Sequence, residues 1–210
     1  MPVSNTIEKK VKPGLSGLAL CGGKSSSMGT DKSLLCYHQM PQRDVVCQML
    51  GNYCESTFIS CNEEQGAALG NNATILVDLP QFKDIGPMAS LLTAFERYPN
   101  NDLLIVGCDY PFLTENELAN FIVSCMEDRP AAFYNKEENL YEPLLGYYPA
   151  SVFPQLKKMA EQKQYSLQHF LRVNDAIKYF PGDIKTICSI DHYTDHLQAV
   201  SILQKQANEI

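Results

Sequence analysis

Leu18–Leu35 reads LALCGGKSSSMGTDKSLL: an apolar run breaks into a glycine pair, crosses a polar loop carrying Lys24 and Lys32, and returns to apolar residues. Small residues directly after a buried strand let backbone N–H groups point at anionic oxygens, and lysines supply the offsetting charge. The spacing is not that of a Walker A loop, because Thr30 rather than lysine follows Gly29, and the dinucleotide spacing GxGxxG does not occur. The stretch alone leaves two open readings, a plain strand-to-helix turn and a phosphate cradle.

Outward from this loop, short aliphatic or β-branched runs alternate with helical periodicity, the pattern of parallel β-α units. Leu15–Cys21 reads as a first strand, and Pro41–Tyr53 as a helix with Val45, Val46, Met49 and Leu50 at helical spacing. Ser56–Cys61 and Ala73–Val77 read as strands, and Pro87–Tyr98 as a helix with proline at its first position. Asp102–Cys108, the most apolar run, is expected at the centre of the sheet. Thr114 with Glu117 forms a capping-box signature for a helix reaching Met126. Ala131–Tyr134 and Glu142–Tyr148 flank a polar turn and predict an antiparallel excursion. Helices near Ser151–Glu161 and Ser166–Val173, short strands at Ala176–Phe180 and Thr186–Ile190, and a closing helix over Asp191–Gln206 complete the pattern. The fold class expected is one three-layer α/β/α domain with a mostly parallel mixed sheet.

The chain has 210 residues, of which 45% are hydrophobic and 20% charged, enough apolar material for a substantial core. A flexible tail over residues 1–13 and a single domain over 14–210 are expected. The net charge of -7, with no basic run longer than Lys9-Lys10 or Lys157-Lys158, argues against nucleic acid as partner. No stretch approaches the roughly 20 apolar residues needed to span a bilayer, and residues 1–13 lack the apolar core of a signal peptide. A soluble, cytoplasmic protein is expected. The eight cysteines sit mostly in apolar segments without CxxC spacing and read as buried free thiols. His192 and His196 lie at i and i+4 on the closing helix, but without a third ligand at metal spacing they read as an ordinary solvated helix face.

Ligands of open α/β sheets gather at the carboxyl ends of the strands. Three of the expected strands end in polar groups there: Cys61-Asn62, Val77-Asp78 and Cys108-Asp109. Each pair suits an ordinary turn; together, on the side of the glycine loop, they suit a nucleotide site with a carboxylate for magnesium.

These residues carry a resemblance. LALCGGKSSSMGTDKSLL is similar to the L-A-G-G-x-S-x-R-M-G-x-D-K-x-L signature of nucleotidyltransferases with a nucleotide-diphospho-sugar transferase (GT-A, Rossmann-like) fold, above all the molybdenum cofactor guanylyltransferases. DIGPMASLLTAF resembles their G-P-L-x-G-x-x-x-A-L segment, LLIVGCDYPFLTENEL their apolar strand ending in C-D-x-P, and YEPLLGYYP their E-P-L-x-A-L-Y strand, so the likeness covers nearly the whole chain. The resemblance implies that Leu20, Cys21, Gly22, Gly23 and Lys24 lie against the nucleotide, that Lys32 meets its phosphates, that Asn62 and Asp78 help hold guanosine, and that Asp109 binds Mg²⁺. It implies GTP and molybdopterin-type molybdenum cofactor as substrates, pyrophosphate as leaving group, and molybdenum cofactor insertion proteins as further partners. Two positions depart from the signature. Ser27 stands where the family has arginine, which removes a bidentate phosphate contact, and SIDHYTDHLQ replaces the family's N-x-N-T-P-x-D-L, leaving Asp191 as a weak match for a metal ligand. A cytidylyltransferase or other nucleotidyltransferase on the same fold, and a non-catalytic nucleotide- or cofactor-binding relative, are the alternatives.

Overall fold

The computed structural model describes residues 11–21, 32–37, 39–69, 74–125 and 127–208. The strands are β1 (Lys12–Leu20), β2 (Cys54–Cys61), β3 (Ile75–Val77), β4 (Asp102–Gly107), β5 (Ala131–Asn135), β6 (Leu140–Tyr148) and β7 (Ile177–Tyr179). The helices are α1 (Gln42–Gly51), α2 (Glu63–Leu69), α3 (Pro87–Arg97), α4 (Glu115–Cys125), α5 (Phe153–Glu161), α6 (Leu167–Val173) and α7 (Tyr193–Asn208). All described strands join one sheet in the order β3-β2-β1-β4-β6-β5-β7. Only β6 runs against its neighbours, so the sheet is mixed and mostly parallel, with β4 at its centre as its unbroken apolar run requires.

Alternation along β4 builds the two large cores. Leu103 and Ile105 face Met88, Leu91 and Phe95 of α3 with Leu156 and Phe170 of α5 and α6, whereas Leu104 and Val106 face Val46 and Leu50 of α1 and Phe121 of α4. The result is three layers, helix on sheet on helix. β1 begins at Lys12, two residues before the expected domain start, and a register shift between Lys12 and Ser16 accommodates Gly14 at φ +73. Among the described residues no helix is long and apolar enough to cross a membrane.

Two expectations need correction, and one element is unexpected. Thr186–Ile190 is not a strand: Ile184–Ile187 forms a 3-10 turn whose cap, Asp183, accepts from the Lys185 N–H at 2.9 Å, and the chain leaves the sheet there. α2 lies between the expected strands Ser56–Cys61 and Ala73–Val77, where no element is expected, and Asn62 and Gln65 form a reciprocal cap there: the Gln65 N–H donates to Asn62 Oδ1 at 2.9 Å and the Asn62 N–H to Gln65 Oε1 at 3.2 Å. At α4 the Glu117 N–H donates to Thr114 Oγ1, but the Glu117 carboxylate accepts from the Tyr179 hydroxyl at 2.8 Å and the Gly182 N–H at 3.0 Å. A tertiary partner has taken the carboxylate that the local cap would have used.

Candidate active site

The carboxyl ends of β3, β2, β1 and β4 lie along one edge of the sheet, and the chain reverses its direction of strand addition between β1 and β4. That switch point is where open α/β sheets leave a ligand crevice. Leu20 pairs with Ser60 on one side and Gly107 on the other, and Cys61 pairs with Val77. The Cys21 N–H donates to the Ser60 carbonyl at 2.9 Å and the Cys108 N–H to the Leu20 carbonyl at 3.0 Å, so the ladder runs to the mouth of the glycine loop. Leu20, Cys21, Asn62, Asp78 and Asp109 thus share one edge. From Asp78 to Asp109 is three strand spacings, roughly 14 Å at the usual separation of neighbouring strands. Gly22, Gly23, Lys24 and Ser27 lie outside the described residues; Lys32 opens a 3-10 turn, Lys32–Leu34.

At the centre of this edge Asp109 folds back over the backbone of Gly107. A Cβ at position 107 would stand 2.5 Å from Asp109 Oδ1 and 3.1 Å from Tyr110 Cε2, so glycine is what leaves room for the carboxylate and the adjacent ring. Beneath it, the Cys21 and Cys108 sulfurs are 3.3 Å apart. Both are free thiols. The hydrogen bond from Cys21, followed by burial, raises the Cys108 pKa well above its usual value and keeps that thiol protonated.

Sequence reasoning missed Tyr110 and Glu142 as site residues. The Tyr110 hydroxyl donates to Glu142 Oε2 at 3.0 Å. Burial first, then the charges of Asp109 and Glu142, push the Tyr110 pKa up and keep the phenol a donor. Burial also raises Glu142, against the hydrogen bond from Tyr110, and the charges of Asp109 and Glu138 raise it further. Glu142 reaches this edge because β6 runs antiparallel to β4, which places its first residues beside the end of β4. Between β5 and β6 the pairing jumps from Ala132–Gly146 to Phe133–Glu142, and the Tyr148 hydroxyl holds the intervening bulge by donating to the Pro143 carbonyl at 2.9 Å. Bulges commonly re-aim a side chain beside a site. The Glu-Pro pair within YEPLLGYYP was the available signal.

Asn62 is exposed and caps α2, as above. Asp78, half-buried, accepts from the Ser90 hydroxyl at 3.2 Å, yet burial outweighs that bond and pushes its pKa from 3.8 to about 6. The folded state therefore binds this proton more tightly than the unfolded chain, and the group's contribution to stability falls as pH rises from about 4 through about 6. Asp78→Asn is expected to flatten that part of the pH profile and to raise the melting temperature at pH 7 relative to the parent. A variant that melts lower at neutral pH, with the profile unchanged, would remove burial as the cause.

Asp191 also reaches this region. The Ile190 N–H donates to the Asp109 carbonyl at 2.9 Å, the Ser189 hydroxyl donates to Asp191 Oδ2 at 3.3 Å, and the Asp191 charge acts on Tyr110. Among the described residues no group of three or more His, Cys, Asp or Glu side chains is placed to hold a metal ion. The donors near Asp109 are carboxylates, a chemistry suited to a hard cation completed by substrate oxygens rather than to an all-protein cage.

Residues 17–177 match the model of the MobA-like NTP transferase domain family. A molybdenum cofactor biosynthesis bifunctional protein of Synechocystis is 31% identical over 187 residues, which are 88% of this chain but 53% of that protein, so the chain spans about half its length. A molybdenum cofactor guanylyltransferase of Campylobacter jejuni is 25% identical over 73% of this chain and 78% of its own. Among solved structures, the molybdopterin-guanine dinucleotide biosynthesis protein A of Archaeoglobus fulgidus superposes with a TM-score of 0.71 at 19% identity, covering 90% of this chain and 99% of that one. That likeness establishes the nucleotidyltransferase fold.

Proposed function

We propose that this chain, which belongs to the family of MobA-like NTP transferase domains, transfers GMP from GTP to a molybdopterin-type molybdenum cofactor. A phosphate oxygen of the cofactor attacks the α-phosphorus of GTP; the new P–O bond forms as the bond to the β-phosphate oxygen breaks, and pyrophosphate leaves. The observation that carries this reading is the meeting, at the β1/β4 switch point, of the strand that feeds the glycine loop and the strand that runs into Asp109.

The transfer needs alignment and charge stabilisation rather than a covalent nucleophile. In this reading the loop from Leu20 and Cys21 through Gly22, Gly23 and Lys24 offers backbone donors to the triphosphate, Lys32 offsets its developing charge, and Asn62 and Asp78 flank the guanosine. Asp109, with Asp191 as second candidate, would hold Mg²⁺ together with substrate phosphate oxygens, and the carboxylate chemistry of this edge fits that role. When bound, the metal would neutralise charge on the phosphates and template the two reactants. Tyr110 keeps Glu142 oriented beside Asp109. We place the reaction in the cytoplasm, where the free thiols among the described residues suit a reducing compartment, with insertion proteins as recipients of the product.

Thermal melting with GTP, CTP, ATP and UTP in the presence of Mg²⁺ tests the reading. GTP should stabilise selectively, because a ligand bound only by the folded state raises its melting point, and Lys32→Ala should weaken that shift. Selective stabilisation by CTP would move the assignment to a cytidylyltransferase, and no shift with any nucleotide would contradict the site.

A further inference from the structure

We propose that a small third core, keyed by Tyr37 against His196, is a positioning device that holds the Lys32-bearing turn in register with Asp109, so that α7 sets the alignment of the two groups assigned to charge stabilisation. The proposal rests on the guanylyl-transfer reading and deepens it.

Leu35, Tyr37, Ile190 and Ala199 form a buried cluster separate from the two sheet cores, with Phe112, Val200 and Leu203 packed against it. Three pieces of chain meet there. The Lys32–Leu34 turn runs directly into Leu35, whose carbonyl accepts from the Gln42 N–H at the start of α1 at 2.9 Å. Phe112 follows three residues after Asp109, and the Ile190 N–H is bonded to the Asp109 carbonyl. Ala199, Val200 and Leu203 come from α7, which begins beyond residue 177, where the family match ends. The cluster therefore ties the segment after the glycine loop and the segment after β4 to one helix that the matched region does not include.

Its key contact is specific. The Tyr37 ring meets the His196 ring edge-on, with centroids 4.7 Å apart and planes at 72°, and the Tyr193 ring centroid lies 5.8 Å from that of the imidazole. Among the described residues, His196 Nδ1 is buried without a hydrogen-bond partner, and burial keeps the imidazole neutral. Packing alone would avoid that polar cost with an aliphatic residue. Tyr37 also feels the Asp109 charge, which adds to burial in raising the phenol's pKa. A chain of contacts thus runs from α7 through His196 and Tyr37 towards Asp109, beside the turn that carries Lys32. A misplacement of about 1 Å between reacting groups costs on the order of a hundredfold in rate, so a device of this kind is read in turnover.

His196→Ala in the full chain tests it, with His196→Phe as the conservative partner, since phenylalanine keeps a ring against Tyr37 and removes the orphaned nitrogen. We expect His196→Ala to lower kcat about tenfold or more with KM for GTP within about threefold, and to speed amide exchange at residues 32–37 while the two sheet cores keep their protection. His196→Phe should restore both. Parental kcat and exchange in His196→Ala would overturn the proposal, as would a loss confined to KM or an equal loss in both variants. Should His196→Ala fail to fold, Val200→Ala, which trims the same core, carries the same comparison. Absence of pyrophosphate release by the parent enzyme would instead count against guanylyl transfer, while exchange at residues 32–37 would still decide the positioning role.

Discussion

Asp109→Asn is expected to lower pyrophosphate release from GTP by at least about 10²-fold, the scale of losing one preorganised charge-stabilising group, with the melting temperature close to the parent's. The size follows from where the carboxylate stands. It follows directly on the central strand at the switch point, beside the strand that feeds the glycine loop, where the proposed reading sets the metal against the triphosphate. Stability should survive because the Asp109 charge opposes the like charge of Glu142, whose pKa it helps to raise. Asparagine keeps the volume and removes that repulsion. Steady-state kinetics beside a melting curve separate the two effects, and near-parental turnover would remove Asp109 from the site.

Gly107→Ala should produce a loss of similar size for a steric reason. The new methyl would lie 2.5 Å from Asp109 Oδ1, closer than Cβ atoms approach oxygen, and 3.1 Å from the Tyr110 ring. One of the two must move. Asp109 lies at the rim and Tyr110 is buried, so the carboxylate is the group displaced, and about 1–3 kcal/mol of stability should go with it as in other overpacked sites. Comparing melting and turnover in Gly107→Ala and Asp109→Asn decides the matter. If Gly107→Ala is destabilised yet turns over normally, the folded-back carboxylate is not the functional conformation.

Much of this arrangement is legible in the sequence because it depends on local pattern. The apolar run Asp102–Cys108 declares a strand buried on both faces, and β4 is the central strand. The polar residues after three strands declare the ligand edge, because parallel β-α units bring those ends together. What escapes depends on partners far along the chain. Glu117 matches a capping box, but its carboxylate answers Tyr179 and Gly182, sixty-two and sixty-five residues away. Thr186–Ile190 has strand composition, yet β7 is the last strand of the sheet and the chain turns away under the Asp183 cap. Glu142 reaches this edge through the antiparallel pairing of β6 with β4 and is re-aimed by the bulge between β5 and β6, and no spacing in YEPLLGYYP announces that shift in pairing. Tyr37 is legible only as an apolar neighbour of the D-K motif, because its role depends on α7, more than 150 residues later.

Guanylyl transfer is tested most directly by following the α-phosphate. The purified chain, magnesium and molybdopterin-type cofactor should be incubated with each nucleoside triphosphate labelled at that position. The account predicts that label from GTP enters the cofactor with one pyrophosphate released per transfer, and that CTP, ATP and UTP leave it unlabelled. Transfer from CTP in preference to GTP, or no label in the cofactor from any nucleotide, would contradict it.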